Sequence, residues 1–435
     1  MVKTAVKNSI EQFRRNNGLA YILSIGSTSG FSIFKGFLLA IFLSPSIYGQ
    51  YASLYAICIF MGTMLSFGNI ESTIKTYPRC HLDGQHKEIL ADTFVIIRIL
   101  TFRCLITLPI VAFTVWYLTG TLDAVTIIGS SILTLTTAVF NIIASGIRAT
   151  GLLIYIGRIQ FVRSIISFII VLLIAKLFKY VPYLFIAEAL ASTISIILSV
   201  FTLSKSLDLQ REKLVIPSKG SLPISAFKEG LPLFFSNALI SIPAFFDKSI
   251  IGSSIGFALA GAYGLLSVIN QAGTLISNIM AQKVGPQIIK IAKQAKNIRS
   301  VIVYFIKWIS IFCFIQFVIV IGVLIVYNIP YFHALFAKYN IQNSSIFLMG
   351  AISIMQAKSF MDFFFIAYDK EKIIFWNALQ YIVLFVVFFA FVIVMKMDFN
   401  SFLWAILAAK FIQMLLFVFD YIKLTKGMAL THKEI

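Results

Sequence analysis

Six basic residues stand within stretches that are otherwise apolar: Lys35, Arg98, Arg103, Lys248, Lys358 and Lys410. A charge near the centre of a bilayer costs roughly 3 kcal/mol or more, so each is expected to face a protein interior or a watery passage and to mark a pathway. Only Asp247 and Asp362, with Glu188 nearer one surface, oppose them. The interior is therefore net positive, and converging Lys and Arg suit an anion, a diphosphate above all. Organic cations call for the opposite sign.

Each of these residues also has a plainer use. Arg98 lies within a turn or two of the cytoplasmic surface, where a long side chain can snorkel out. Lys358 and Asp362 are spaced i, i+4 and can neutralise each other. Asp247 and Asp362 serve either ion coupling or charge pairing, whereas Lys35, Arg103, Lys248 and Lys410 sit deeper and are expected to line a cavity. Glu188 heads a stripe with Ser192, Ser195 and Ser199 and is expected to pair with Lys176 or Lys179. Pro243, one turn before Asp247, is a candidate hinge because its missing N–H weakens a helix locally.

What positions these residues follows from composition. The 435 residues are 59% hydrophobic and only 12% charged, and the mean hydropathy is +0.93, which excludes a water-soluble fold. At about 20 apolar residues per crossing, the chain is an all-α integral membrane protein of about 12 transmembrane helices, arranged as two six-helix bundles. The spans are expected near 19–43, 46–70, 91–115, 122–146, 159–178 and 181–204, then 231–254, 257–280, 300–326, 344–367, 374–396 and 400–421. The first is taken as an uncleaved span.

Residues 1–204 and 231–421 form the two bundles, joined by a cytoplasmic connection over 205–230 and followed by a cytoplasmic tail over 422–435. With both termini inside, 24 Lys and Arg fall in inside segments and four in outside connections, the bias that orients membrane proteins. That bias and anionic lipid headgroups account for most of the +19 formal charge. Nucleic acid is not an expected partner.

The halves repeat weakly at an offset of 212 residues. Gly49 falls on Gly261, Tyr51 on Tyr263, Leu54 on Leu266, and Lys35 on Asp247. Six spans per half keep both in one orientation, with a cavity expected between them.

Other chemistries lack their residues. There is no P-loop or HExxH pattern, and the four histidines fall in connections or the tail. The four cysteines are scattered without CxxC spacing. No catalytic residue, metal or cofactor is expected; a proton or sodium gradient is the candidate energy source.

The phrase SPSIYGQYASLYA, the later FFDKSIIGSSIGFALAGAYGLLS and the first span ending in Lys35 resemble the polysaccharide-transporter branch of the multidrug/oligosaccharidyl-lipid/polysaccharide exporter superfamily. The closest likeness is to Wzx-type O-antigen and capsule repeat-unit flippases, over essentially the whole chain. An acidic residue, a basic one and a glycine-tyrosine phrase recur in that family where the seventh span meets the eighth, here Asp247, Lys248, Gly261 and Tyr263. The resemblance implies a V-shaped pair of bundles around a cationic cavity. It also implies movement of an undecaprenyl-diphosphate-linked oligosaccharide from the cytoplasmic to the outer leaflet of a bacterial inner membrane, with polysaccharide polymerase and chain-length proteins as partners. The alternative on the same fold is a cation-coupled multidrug or metabolite exporter, and a third is a scaffold subunit of a polysaccharide assembly complex.

Overall fold

The computed structural model describes residues 26–149, 153–207, 224–294, 298–368 and 370–431, and all regular structure among them is helical. The helices are α1 (Gly26–Phe42), α2 (Pro45–Ser66), α3 (Asn69–Leu82), α4 (His86–Thr119), α5 (Ala124–Ala149), α6 (Leu153–Phe178), α7 (Val181–Ser206) and α8 (Ile224–Ile255). There follow α9 (Phe257–Gln294), α10 (Ile298–Tyr327), α11 (Pro330–Lys338), α12 (Asn343–Ile354), α13 (Lys358–Ala367), α14 (Glu371–Val394) and α15 (Phe399–Thr431).

Every expected span overlaps one of these helices. Nine described helices are long and apolar enough to cross a membrane, and a tenth joins them when α2 and α3 count as one bent span. The expected count of twelve includes two that fall short of that test. Only 17 residues of α1 are described, and its expected start at residue 19 lies outside the described residues. In α8, several residues of the N-terminal half fall outside those described for that test.

The connection expected over 71–90 begins as helix. α2 ends at Phe67 and Gly68, whose φ values of 38° and 85° reverse the backbone hand, and α3 leaves at 57°. Glycine takes that conformation freely, while Phe67 costs roughly 1–2 kcal/mol. Pro243, by contrast, lies within α8 with helix on both sides. Backbone interruptions within expected spans fall at Phe67–Gly68 and at the 3-10 turn Met355–Ala357 between α12 and α13. Proline costs one hydrogen bond, which the rest of a long helix survives.

Two compact units result, Met1–Ser241 and Ile242–Ile435. They part within α8, while most of the expected connection 205–230 lies outside the described residues. In the N-terminal unit α5 is the axis, packed on α2, α3, α4, α6 and α7. Small residues allow it: a Cβ on Gly62 of α2 would stand 2.8 Å from the Thr134 carbonyl oxygen of α5, and one on Gly129 of α5 would stand 3.0 Å from Phe185 of α7. Without a hydrophobic drive between helices in lipid, such close approach supplies the packing energy. The core beneath holds Tyr77, Leu100, Ile143 and Ile147. In the C-terminal unit α9 packs on α10, α12 and α13, and α15 on α12 and α14, around Phe312, Phe360, Phe364, Phe365 and Phe417.

Candidate functional site

In the N-terminal unit Lys35 does not stand free. Its Nζ lies 2.5 Å from Oε1 of Glu188, and both residues are buried, at 8% and 2% exposure. Tyr51 donates its hydroxyl to the same oxygen at 2.5 Å. Ser167 accepts from Lys35 at 2.9 Å and donates to Oε2 of Glu188 at 2.9 Å. The ammonium also rests 5.3 Å from the ring centre of Tyr55. Four helices, α1, α2, α6 and α7, are thus tied at one carboxylate whose two oxygens are both occupied. Glu188 takes Lys35, and the expected partners Lys176 and Lys179 are exposed on the surface. The earlier expectation fails because it weighed neighbours along the chain, while the partner is 153 positions away.

Arg163 stands beside this pair. Its guanidinium lies 4.4 Å from the ring centre of Phe140, within electrostatic reach of Glu188 and Tyr55.

Arg103 has a backbone task. Its Nη1 donates to the carbonyl oxygens of Leu65 at 3.0 Å and Ser66 at 3.2 Å, and its guanidinium faces the Phe67 ring at 5.7 Å. Those carbonyls are freed where α2 stops short of α3, and an unsatisfied carbonyl is costly in an apolar medium. Arg98 is exposed on the outside of α4, away from the Lys35 network.

The C-terminal unit holds the other charges. Asp247 on α8 is buried at 8% exposure. Its Oδ2 accepts from the Tyr263 hydroxyl of α9 at 2.5 Å, and its Oδ1 accepts from the Lys248 backbone N–H at 2.6 Å. Lys410 of α15 lies within electrostatic reach of Asp247 and of Lys358. Lys358, at the start of α13, places its Nζ 4.8 Å from the ring centre of Phe417. Asp362, one turn on, has a buried Oδ1 without a hydrogen-bond partner. Among the described residues, none of Lys248, Lys358 and Lys410 forms an ion pair; the one such pair is Lys35–Glu188.

Neutral polar groups frame this cluster. Asn377 of α14 and Gln413 of α15 are mutually hydrogen-bonded at 3.0–3.4 Å. Gln356 donates to Asn270 at 3.0 Å, and Ser277 meets Ser359 at 2.6 Å.

The carboxylate-binding roles of Tyr51, Ser167 and Tyr263 escape a charge-based reading. The available signal was the repeat, in which Tyr51 and Tyr263 coincide.

A family profile described as polysaccharide biosynthesis protein matches residues 15–292. Among solved structures, an inward-facing multidrug resistance MATE family transporter of the MOP superfamily is similar with a TM-score of 0.65 at 13% identity, over 94% of this chain and 99% of that one. An outward-facing transporter of that family gives 0.61 at 13% identity, over 94% of each chain. A Vibrio cholerae MATE transporter gives 0.56 at 13% identity, over 95% and 97%. Likeness at that identity is a likeness of fold. No curated protein matches the sequence. With its helical membrane architecture, its resemblance to MATE structures and a family match over well more than half its length, the chain belongs to the polysaccharide biosynthesis protein family.

Proposed function

We propose that the chain is a flippase for an undecaprenyl-diphosphate-linked oligosaccharide, an O-antigen or capsule repeat unit, carried from the cytoplasmic to the outer leaflet of a bacterial plasma membrane. The observation that carries this reading is Lys410 within electrostatic reach of Lys358, with Lys248 in the same unit, none of the three in an ion pair among the described residues. Buried charges are normally paired. A site that keeps several cations unpaired is prepared for an anion, and diphosphate oxygens accept well from lysine.

Family membership supports a glycan as cargo. Alternation between inward- and outward-facing states is supported by fold likeness to transporters solved in each. In this reading the lipid tail stays in the bilayer, the diphosphate is held by the lysines and the sugars cross through a polar passage. No step forms or breaks a covalent bond, so the chain acts as a transporter rather than an enzyme. A proton or sodium gradient supplies the energy, and polymerase and chain-length proteins receive the product.

The test is deletion of the gene in its host, with analysis of the leaflet in which the diphosphate-linked oligosaccharide accumulates. Build-up on the cytoplasmic face, relieved by the wild-type chain and not by Lys410→Glu combined with Lys248→Glu at equal protein level, is the expected outcome. Unchanged intermediates with altered drug tolerance would falsify the flippase reading and favour a cation-coupled exporter.

A further inference from the structure

The N-terminal ion pair resembles an occupied anion site. Glu188 receives one ammonium and two hydroxyl hydrogen bonds, from Lys35, Tyr51 and Ser167. Lysine, tyrosine and serine donors serve phosphate oxygens as well as carboxylate oxygens. The local charge is also unbalanced. Lys35 and Arg163 together face one carboxylate, and Arg163 has no hydrogen-bond or ion-pair partner among the described residues, only the Phe140 ring. One positive charge is left over with Glu188 in place, and two when Glu188 leaves.

We infer that Glu188 is an internal stand-in for the substrate's diphosphate: an incoming diphosphate displaces it from Lys35, and the displaced carboxyl group takes up one proton from water. This deepens the flippase reading and rests on it for the identity of the anion. A diphosphate carries more charge than one carboxylate and can bridge Lys35 and Arg163, whereas Glu188 reaches only the former. Once its ammonium is taken, a buried carboxylate has no compensating charge and is neutralised by protonation. No bond other than the new O–H forms.

The titratable groups facing Glu188 are Lys35 from α1, Tyr51 and Tyr55 from α2, and Arg163 from α6. From α5, which also packs on α7, the charged residue is Arg148 in its last turn, at the other end of the helix. Glu188 is thus the acidic group of the set, and the proton is assigned to it.

The experiment is calorimetric titration of the whole purified chain in lipid nanodiscs with inorganic pyrophosphate, in two buffers of different ionisation enthalpy between pH 6 and 8. The wild type should take up about one proton per anion bound, with affinity rising by up to about tenfold for each unit fall in pH. Glu188→Gln should bind about tenfold more tightly at pH 8, because the internal competitor is gone, and should lose that proton. Subtracting its profile from the wild type's removes the titration of pyrophosphate itself. Lys35→Gln should weaken binding in both backgrounds.

Unchanged proton uptake and affinity in Glu188→Gln overturn the inference. If that variant does not fold, the wild type decides with sulfate, which does not titrate between pH 6 and 8, since binding without proton uptake, or no binding, also overturns the inference. The leaflet assay judges the flippase reading separately, because cargo can be flipped whether or not Glu188 is displaced.

Discussion

Tyr51 and Tyr263 each donate a 2.5 Å hydrogen bond to a buried carboxylate, Glu188 in the N-terminal unit and Asp247 in the C-terminal unit. The two tyrosines occupy matching places in the internal repeat, but the charges around them are exchanged. In the first half the cation, Lys35, is on the first helix of the bundle and the anion on the last. In the second half the anion, Asp247, is on the first helix and the nearby cation, Lys410, on the last. A tyrosine-held acidic group between first and last helices is the shared device, with its polarity inverted.

Breaking the Lys35–Glu188 pair from one side leaves a buried charge uncompensated. Lys35→Ala or Glu188→Ala is expected to destabilise the chain by about 3–5 kcal/mol. The exchange Lys35→Glu with Glu188→Lys should recover part of that loss. Thermal unfolding of the purified variants measures both; equal damage from the double exchange and the worse single variant would refute a direct pair.

The tyrosines should differ in their sensitivity. Tyr51→Phe leaves Glu188 with Lys35 and Ser167, so a loss of about 1–1.5 kcal/mol is expected. Tyr263→Phe leaves Asp247 with the Lys248 backbone N–H, and a loss of about 2–3 kcal/mol follows. Denaturation midpoints of the two variants, measured side by side, check the order.

Arg103→Lys should fail to replace Arg103 although it keeps the charge. A single ammonium does not reproduce the planar contact with two consecutive carbonyls and the Phe67 ring. About 1–3 kcal/mol of stability should be lost, with faster proteolysis in the 66–69 region. Export should fall only in step with protein level, the result that separates a backbone role from substrate binding.

His81, in the connection between the expected spans 46–70 and 91–115, supplies a pH dependence. Its ring stacks on His86 at 4.8 Å, and burial together with that neighbour lowers its pKa from the ordinary 6.5. The unfolded chain therefore binds the proton more readily. Stability from this group is full above about pH 6.5 and declines as pH falls from there through the lowered folded value. Melting temperatures at pH 7.5 and 5.5 should differ less in His81→Gln than in the wild type.

Much of the architecture was legible because lipid leaves the backbone few choices. A run such as residues 300–326 has to be a helix, and α10 is there. Polar residues inside those runs were equally visible. What stayed hidden was pairing at long range. Glu188 and Lys35 stand on different helices, and nothing in a single sequence records which faces turn together. The break at Phe67–Gly68 was hidden for another reason: its cause is a left-handed backbone at Phe67, a residue type that rarely adopts one, and its support comes from Arg103 on a separate helix.

The distance along the chain between Lys35 and Glu188 also bears on how the protein is made. Synthesis proceeds at roughly 5–20 residues per second, and the partners are 153 positions apart. For about eight to thirty seconds the first helix carries an ammonium group without its counter-ion. Placing a lysine at mid-helix in the bilayer costs about 3 kcal/mol, so α1 is committed to the membrane only weakly until α7 emerges. The newborn chain thus stays open at its first helix until its seventh arrives to close the N-terminal unit.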